Sequence, residues 1–277
     1  MKSFKPKKLE ESVNYCQRHP ALAFGEYLLK GLIALALIYL FVGLTLEFLI
    51  MRMPIKHEVW LWDKLGISEQ FETQEDPTEY EETIQNYLED LLSQIPESLR
   101  GQEYQYDIIF IDDIDANALA LPGGKIVLTS GLYEMLESEN ALTFVIGHEL
   151  GHIKNRDHLR GMGFNFASIL TSLILAGQDG GISRSAAGLY ELAWLGHSRH
   201  LEKEADIVGL EAIMHIYGHA GGADEVFEKL EEGEGKFEKM VPTIMSTHPG
   251  NEERIAAMRQ HIEIQSLPVE NTKEKAF

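Results

Sequence analysis

Residues 141–155 read ALTFVIGHELGHIKN, and this stretch decides the fold. Leu142, Val145, Ile146, Leu150 and Ile153 recur at helical spacing, which predicts a buried helix. His148, Glu149 and His152 on it form His-Glu-x-x-His. Side chains four apart on a helix lie one above the other, about 6 Å between Cβ atoms. Two imidazoles so placed can reach one metal ion at about 2.0–2.1 Å. Glu149, beside His148, can approach the open side of such a metal and act as general base towards its water. Gly147 and Gly151 each cost roughly 1 kcal/mol against alanine in a helix interior. They imply that another backbone or a substrate comes close to this face.

A hydrolytic zinc site wants three protein ligands and one open position. Candidates lie in residues 197–206, HSRHLEKEAD, preceded by apolar Leu189, Leu192, Ala193 and Trp194. Glu202 and Asp206 share a helix face, so Glu202 can ligate while Asp206 accepts the free N–H of a ligating histidine. A solvated, salt-bridged helix reads equally well from this spacing, since Glu202, Lys203 and Glu204 also suit water. His248, before Pro249 and a helix starting near Asn251 or Glu252, sits on a constrained loop and is a further candidate. His197, His200, His215 and His219 read as surface or satisfied helix histidines, and His158 as a flank of the metal helix.

Upstream of the metal helix the pattern is that of short strands. Tyr106–Ile111 is β-rich, and Asn117–Leu121 and Lys125–Thr129 flank Pro122-Gly123-Gly124, a hairpin turn. Residues 52–100 form a linker with an acidic stretch, Glu69–Glu82, which reads as a solvated face. An amphipathic helix follows in it, carrying Ile84, Tyr87, Leu88, Leu91 and Leu92. Residues 101–265 make the metal-bearing domain and 266–277 a C-terminal tail. The predicted class is α+β, mainly helical, with a small β-sheet and one membrane helix in front.

That membrane helix is Gly31–Met51, whose one charge is Glu47, close enough to the end to reach headgroups. Twenty-one helical residues span about 31 Å, the thickness of a bilayer's hydrocarbon layer. The following residues lack a small-x-small cleavage pattern, so the run reads as a signal anchor. Lys2, Lys5, Lys7, Lys8, Arg18 and Lys30 precede it, predicting residues 1–30 inside and the remainder across a bacterial inner membrane. A second apolar stretch, Gly161–Ala176, is short for a crossing and reads as a buried or membrane-grazing helix.

Composition excludes several classes. The 277 residues carry 24 basic and 44 acidic side chains, net −20, which argues against a nucleic-acid partner. One cysteine, Cys16, precludes an internal disulfide and a cysteine zinc cage. The 11 histidines are the residues left to hold a metal.

Four blocks in order resemble the HtpX-like and CAAX-prenyl-protease-like zinc metallopeptidases. They are Asn117-Ala118 with Leu121–Ile126; His148–His152 with Arg156; Ser198-Arg199 with Glu202–Asp206; and Thr247-His248-Pro249 with Arg254-Ile255. The resemblance covers about residues 105–260 and is closest to the BepA-like branch with a compact catalytic domain, since only fifty residues separate His152 from Glu202. It implies one zinc ion per chain held by His148, His152 and Glu202, with Glu149 as general base and Asp206 behind a ligating histidine. It also implies that His248 can take the metal's remaining position in a self-inhibited resting state. His248 or Arg199 is, on motif position, a donor to the transition state. Polypeptide substrates would add as a strand along Asn117, Ala118 and Leu119. The expected function is membrane-anchored zinc endopeptidase acting on unfolded or misassembled envelope proteins. The alternatives are a non-catalytic, zinc-capped assembly factor and an intramembrane prenyl-peptide-type protease.

Overall fold

The computed structural model describes residues 19–66, 77–100, 104–160, 162–176, 199–229, 248 and 251–277. The N-terminal basic cluster up to Arg18, most of the acidic stretch, His197 and Pro249 lie outside the described residues.

The metal helix is the centre of the fold. Helix α6 (Glu139–Lys154) starts where Ser138 Oγ accepts from the Ala141 N–H, and every residue from Glu139 to Ile153 is buried. Being covered on all sides, it buries Ala141 and Phe144 as well as the apolar stripe read from the sequence. One face meets a sheet of β1 (Asp107–Ile111), β2 (Ala118–Leu121) and β3 (Lys125–Thr129). The order is β1-β3-β2, with β3 parallel to β1 and antiparallel to β2. The expected hairpin joins β2 to β3, and Gly123 and Gly124 supply its positive φ of 88° and 91°. Short α5 (Ser130–Met135) leads from β3 towards α6.

The helix expected from residues 84–92 is α3 (Glu79–Gln94), opened by a capping box between Thr78 and Glu81. Its Ile84, Leu88, Leu91 and Leu92 join the main core with Ile108, Leu128, Leu142, Ile146, Leu150 and Ile213. The Gln85 side chain also closes the outer edge of β1. Its Nε2 donates to Ile108 O at 3.0 Å, and its Oε1 accepts from the Phe110 N–H at 3.3 Å. Helix α4 (Glu97–Arg100) follows and packs against α6. The C-terminal residues run along the start of α6, where the Glu139 N–H donates to Lys273 O and Lys273 Nζ meets Glu139 Oε1 at 2.6 Å.

The apolar run lies within α1 (Pro20–Met51), which among the described residues is the one helix long and apolar enough to cross a membrane. Most of its large side chains, Leu37, Phe41 and Leu44 among them, are exposed. Helix α2 (Ile55–Leu65) follows after a three-residue break. The second apolar stretch is α7 (Met162–Ala176), and it packs antiparallel along α1. Tyr39 Oη lies 3.0 Å from Ser168 Oγ, and a Cβ on Gly43 would meet the Phe164 ring at 2.5 Å. Glu47 meets α7. Its Oε2 accepts the Gly163 N–H at 2.9 Å, satisfying one of the free amides at the start of α7. Small residues and polar pairs are what hold apolar helices together when no water is present to drive them.

Candidate metal centre

Helix α8 (Arg199–Tyr217) crosses α6 at its two glycines. A Cβ on Gly147 would lie 2.9 Å from Gly209 Cα, and one on Gly151 would lie 2.9 Å from Ala205 Cα. The close backbone that these glycines imply is therefore α8. This approach carries Glu202 and Asp206 onto the histidine face of α6, and both are buried. The solvated reading of that segment does not hold for these two acids.

His148, His152, Glu202 and His248 converge, with one ligand atom of each within 4.8 Å of the others. His148 Nε2 lies 3.1 Å from His152 Nε2, 3.3 Å from His248 Nδ1 and 3.5 Å from Glu202 Oε2. Glu202 Oε1 is 3.5 Å from His152 Nε2, and Oε2 is 3.1 Å from His248 Nδ1. A tetrahedral ion with ligands at 2.0–2.1 Å requires donor-to-donor edges of about 3.3 Å. The observed spacings of 3.1–3.5 Å lie close to that edge, with Glu202 offering Oε1 to His152 and Oε2 to His148 and His248, and imidazole and carboxylate donors are those that zinc takes. The donor set fits zinc.

The other ring nitrogens are engaged away from this centre. His148 Nδ1 lies 3.0 Å from Asp206 Oδ1, and His152 Nδ1 lies 3.0 Å from Asp157 Oδ2. Carboxylates in this position fix the tautomer and ring plane of a ligating histidine. Asp206 was legible in its spacing from Glu202, whereas Asp157 was missed. Arg254, on α9 (Asn251–Gln265), was quoted only as part of a motif, yet it ties the acids together. It donates to both Asp206 oxygens, from Nε at 2.9 Å and Nη2 at 2.6 Å. Its Nη1 reaches Glu202 Oε2 at 2.9 Å and His248 O at 3.2 Å.

Four buried carboxylates, Glu149, Asp157, Glu202 and Asp206, surround this point, with Arg254 as the buried guanidinium among them. Such a site favours an added cation. Burial opposes charge on His148, but the hydrogen bonds that it makes to the Asp206 and Glu202 carboxylates outweigh it and carry its pKa to about 9. Burial likewise raises the Asp206 pKa, but Arg254 and His148 overcome it and leave the group below the ordinary aspartate range.

Glu149 is buried, its Oε1 lies 3.6 Å from His248 Nε2, and its Oε2 has no hydrogen-bond partner among the described residues. Arg199 is not brought to the cluster. It sits in the first turn of α8, largely exposed, and its Nη1 pairs with Glu253 Oε1 at 2.9 Å. Asn117 precedes β2, buried, with its N–H donating to Thr129 Oγ1 and its Oδ1 without a partner among the described residues. Ala118 and Leu119 lie on β2, an edge strand that contacts α6.

The model of peptidase family M48 matches residues 80–262. This chain belongs to peptidase family M48. The M48 match contains all four converging side chains and begins within α3, so the helix that closes the β1 edge is included in it. Among curated proteins, the chain is 28% identical over 189 residues to a putative beta-barrel assembly-enhancing protease of Vibrio cholerae, covering 64% of this chain and 39% of that one. It is 28% identical over 177 residues to the mitochondrial metalloendopeptidase OMA1 of Schizosaccharomyces pombe, covering 63% and 52%. With the metalloprotease LoiP of Escherichia coli it shares 28% over 170 residues, covering 60% and 65%. The aligned M48 region is thus about two-fifths to two-thirds of the length of these relatives.

Proposed function

We propose that this chain is a membrane-anchored zinc endopeptidase, with His148, His152 and Glu202 as ligands and Glu149 as general base. The observation that carries the reading is the convergence of His148, His152, Glu202 and His248 on one buried point, with the buried Glu149 carboxylate beside His148 on the same helix. A bound zinc ion would acidify a water molecule and polarise a peptide carbonyl. Glu149 takes the attacking water's proton and then delivers it to the leaving amine, as general base and general acid in turn. Asp206 and Asp157 hold the two helix histidines in the tautomer that leaves Nε2 free to ligate.

The substrate is a flexible polypeptide that adds to the β2 edge near Asn117, Ala118 and Leu119. Support comes from the asymmetry of the sheet, since Gln85 occupies the β1 edge while β2 lies beside α6. Backbone pairing of this kind reads little of the side chains and suits quality control of unfolded envelope proteins. The relatives' names, a beta-barrel assembly-enhancing protease and a mitochondrial metalloendopeptidase, support the protease reading. Helix α1 anchors the chain in a bacterial inner membrane, N-terminus inside and metal domain outside. Helix α7, packed along α1, would share that bilayer and keep the site at its surface.

A second reading is supported by His248. With Nδ1 at the fourth corner of the donor set, His248 would cap a metal and leave no open position, giving either a self-inhibited protease or a non-catalytic assembly factor. The full chain in detergent micelles, loaded with zinc and given casein, tests both. Cleavage that disappears in Glu149→Gln while zinc is retained supports the endopeptidase. Cleavage by Glu149→Gln at the wild-type rate would falsify it.

A further inference from the structure

Glu58 is a fully buried carboxylate with no part in the reaction described above. It lies on α2, immediately after the apolar helix. Its oxygens accept from Tyr104 Oη at 2.9 and 3.0 Å, and Arg156 Nη2 lies 2.6 Å from Oε2. His158 Nε2 is 2.8 Å from Oε1. Arg156 also uses its other terminal nitrogen, since Nη1 donates to Met51 O at 3.2 Å, on the last residue of α1. One guanidinium thus holds the end of α1 and the start of α2 against the loop that leaves the metal helix.

The backbone of Arg156 is itself unusual. Its φ is 57°, in the left-handed region that side-chain-bearing residues rarely enter. That bend reverses the chain two residues after α6 ends, and a 3₁₀ turn over Asp157–Leu159 follows. The reversal places Asp157 beneath His152, with 3.0 Å between Oδ2 and Nδ1 and neither side chain exposed. Arg160 Nε holds the other Asp157 oxygen at 2.9 Å. His152 Nε2 is left facing Glu202 and His148.

We infer that Arg156, clamped by Glu58 and the Met51 carbonyl, is a positioning residue that aims His152 through Asp157. Metal affinity is thereby tied to the seating of α1 and α2 against the loop. The inference rests on the metal-site reading above but not on peptidase activity. Histidine–carboxylate supports of this kind alter metal affinity about 10–100-fold when removed. An arginine bridging two acceptors in a fixed fork is not replaced by lysine, whose ammonium is a single point charge.

The test is zinc affinity of the full chain in detergent micelles, by competition with a chelator, together with the visible spectrum of the cobalt-loaded protein. Asp157→Asn, which keeps size and fold, is expected to weaken zinc about 10–100-fold. Arg156→Ala and Glu58→Gln should weaken it in the same direction and shift the cobalt bands, and Arg156→Lys should not restore them. Leu88→Ala, a core truncation on α3, supplies the comparison: it lowers the melting temperature without changing zinc affinity. Arg156→Ala and Glu58→Gln variants that melt earlier yet bind zinc as tightly as the wild type would show a purely structural cluster and overturn the inference. A wild-type chain that binds no zinc would overturn the metal reading first, a result separable from the other.

Discussion

Gly151 on the metal helix and Ala205 on α8 approach so closely that a Cβ on the glycine would sit 2.9 Å from the alanine Cα. Side-chain-free contact at this point lets Glu202, three residues before Ala205, reach the histidines. Gly151→Ala should therefore push the helices apart, costing about 1–3 kcal/mol as overpacking does. Zinc affinity should fall with it. Thermal melts with and without added zinc check this: a variant that keeps both melting temperature and zinc-induced stabilisation would show that the crossing tolerates a methyl group.

Arg254 pairs with both Asp206 and Glu202 inside the protein, where its side chain is 5% exposed. Replacing one partner of a buried ion pair leaves the other uncompensated, at about 3–5 kcal/mol. Arg254→Met should be destabilised by that order in denaturant unfolding, and more severely without zinc than with it, because the cation then supplies the missing positive charge.

His248 Nδ1 stands 3.1 Å from Glu202 Oε2 and Nε2 stands 3.6 Å from Glu149 Oε1, between the proposed ligand and the proposed base. If the resting site is capped, His248→Ala opens it. Casein cleavage by that variant should exceed the wild-type rate, and zinc should bind more weakly for want of the fourth donor. A variant slower than wild type with unchanged zinc affinity would place His248 among the groups that serve the transition state.

Glu58 supplies a pH dependence. Burial acts to raise its pKa, but the His158 hydrogen bond and charge, with Tyr104 and Arg156, outweigh it and leave the group below the ordinary glutamate value of 4.5. A depressed carboxylate contributes stability above its unfolded pKa and loses it as pH falls through the folded value. Wild type should thus melt higher than Glu58→Gln at pH 6, with the gap closing below about pH 4.5 as the unfolded glutamate and then the folded one take up protons. Melting curves at half-unit pH steps would show it, and a gap that widens on acidification would contradict the assignment.

The metal helix, the hairpin turn and the apolar run were all legible in the chain. Each rests on a local property: imidazoles four residues apart share a helix face whatever surrounds them, Pro122-Gly123-Gly124 turns by its own backbone preferences, and twenty-one apolar residues have one length. The helix at residues 84–92 was legible for the same reason, since its apolar spacing is its own. What composition and spacing left open was whether Glu202 faces water or metal. Resemblance favoured the metal, and the α6–α8 crossing at Gly147 and Gly151 buries that glutamate.

Other relationships could be decided only by tertiary structure. Asp157 is five residues from His152, outside the helical register that makes neighbours obvious, and it returns only because Arg156 takes a left-handed turn. Arg254 meets Asp206 across 48 residues, and Glu58 meets Arg156 across 98. Arg199, placed by its motif near the site, turns outward to Glu253. Glu47, read as a charge near the end of the membrane helix, accepts the Gly163 amide in the first turn of α7 across 116 residues. The chain by itself determined which groups can bind a metal and which segment can cross a bilayer, because both follow from residue type at fixed short spacing. Only the packed structure decided which buried charge answers which, because partners distant in sequence meet through the contacts of whole helices and not through any local rule.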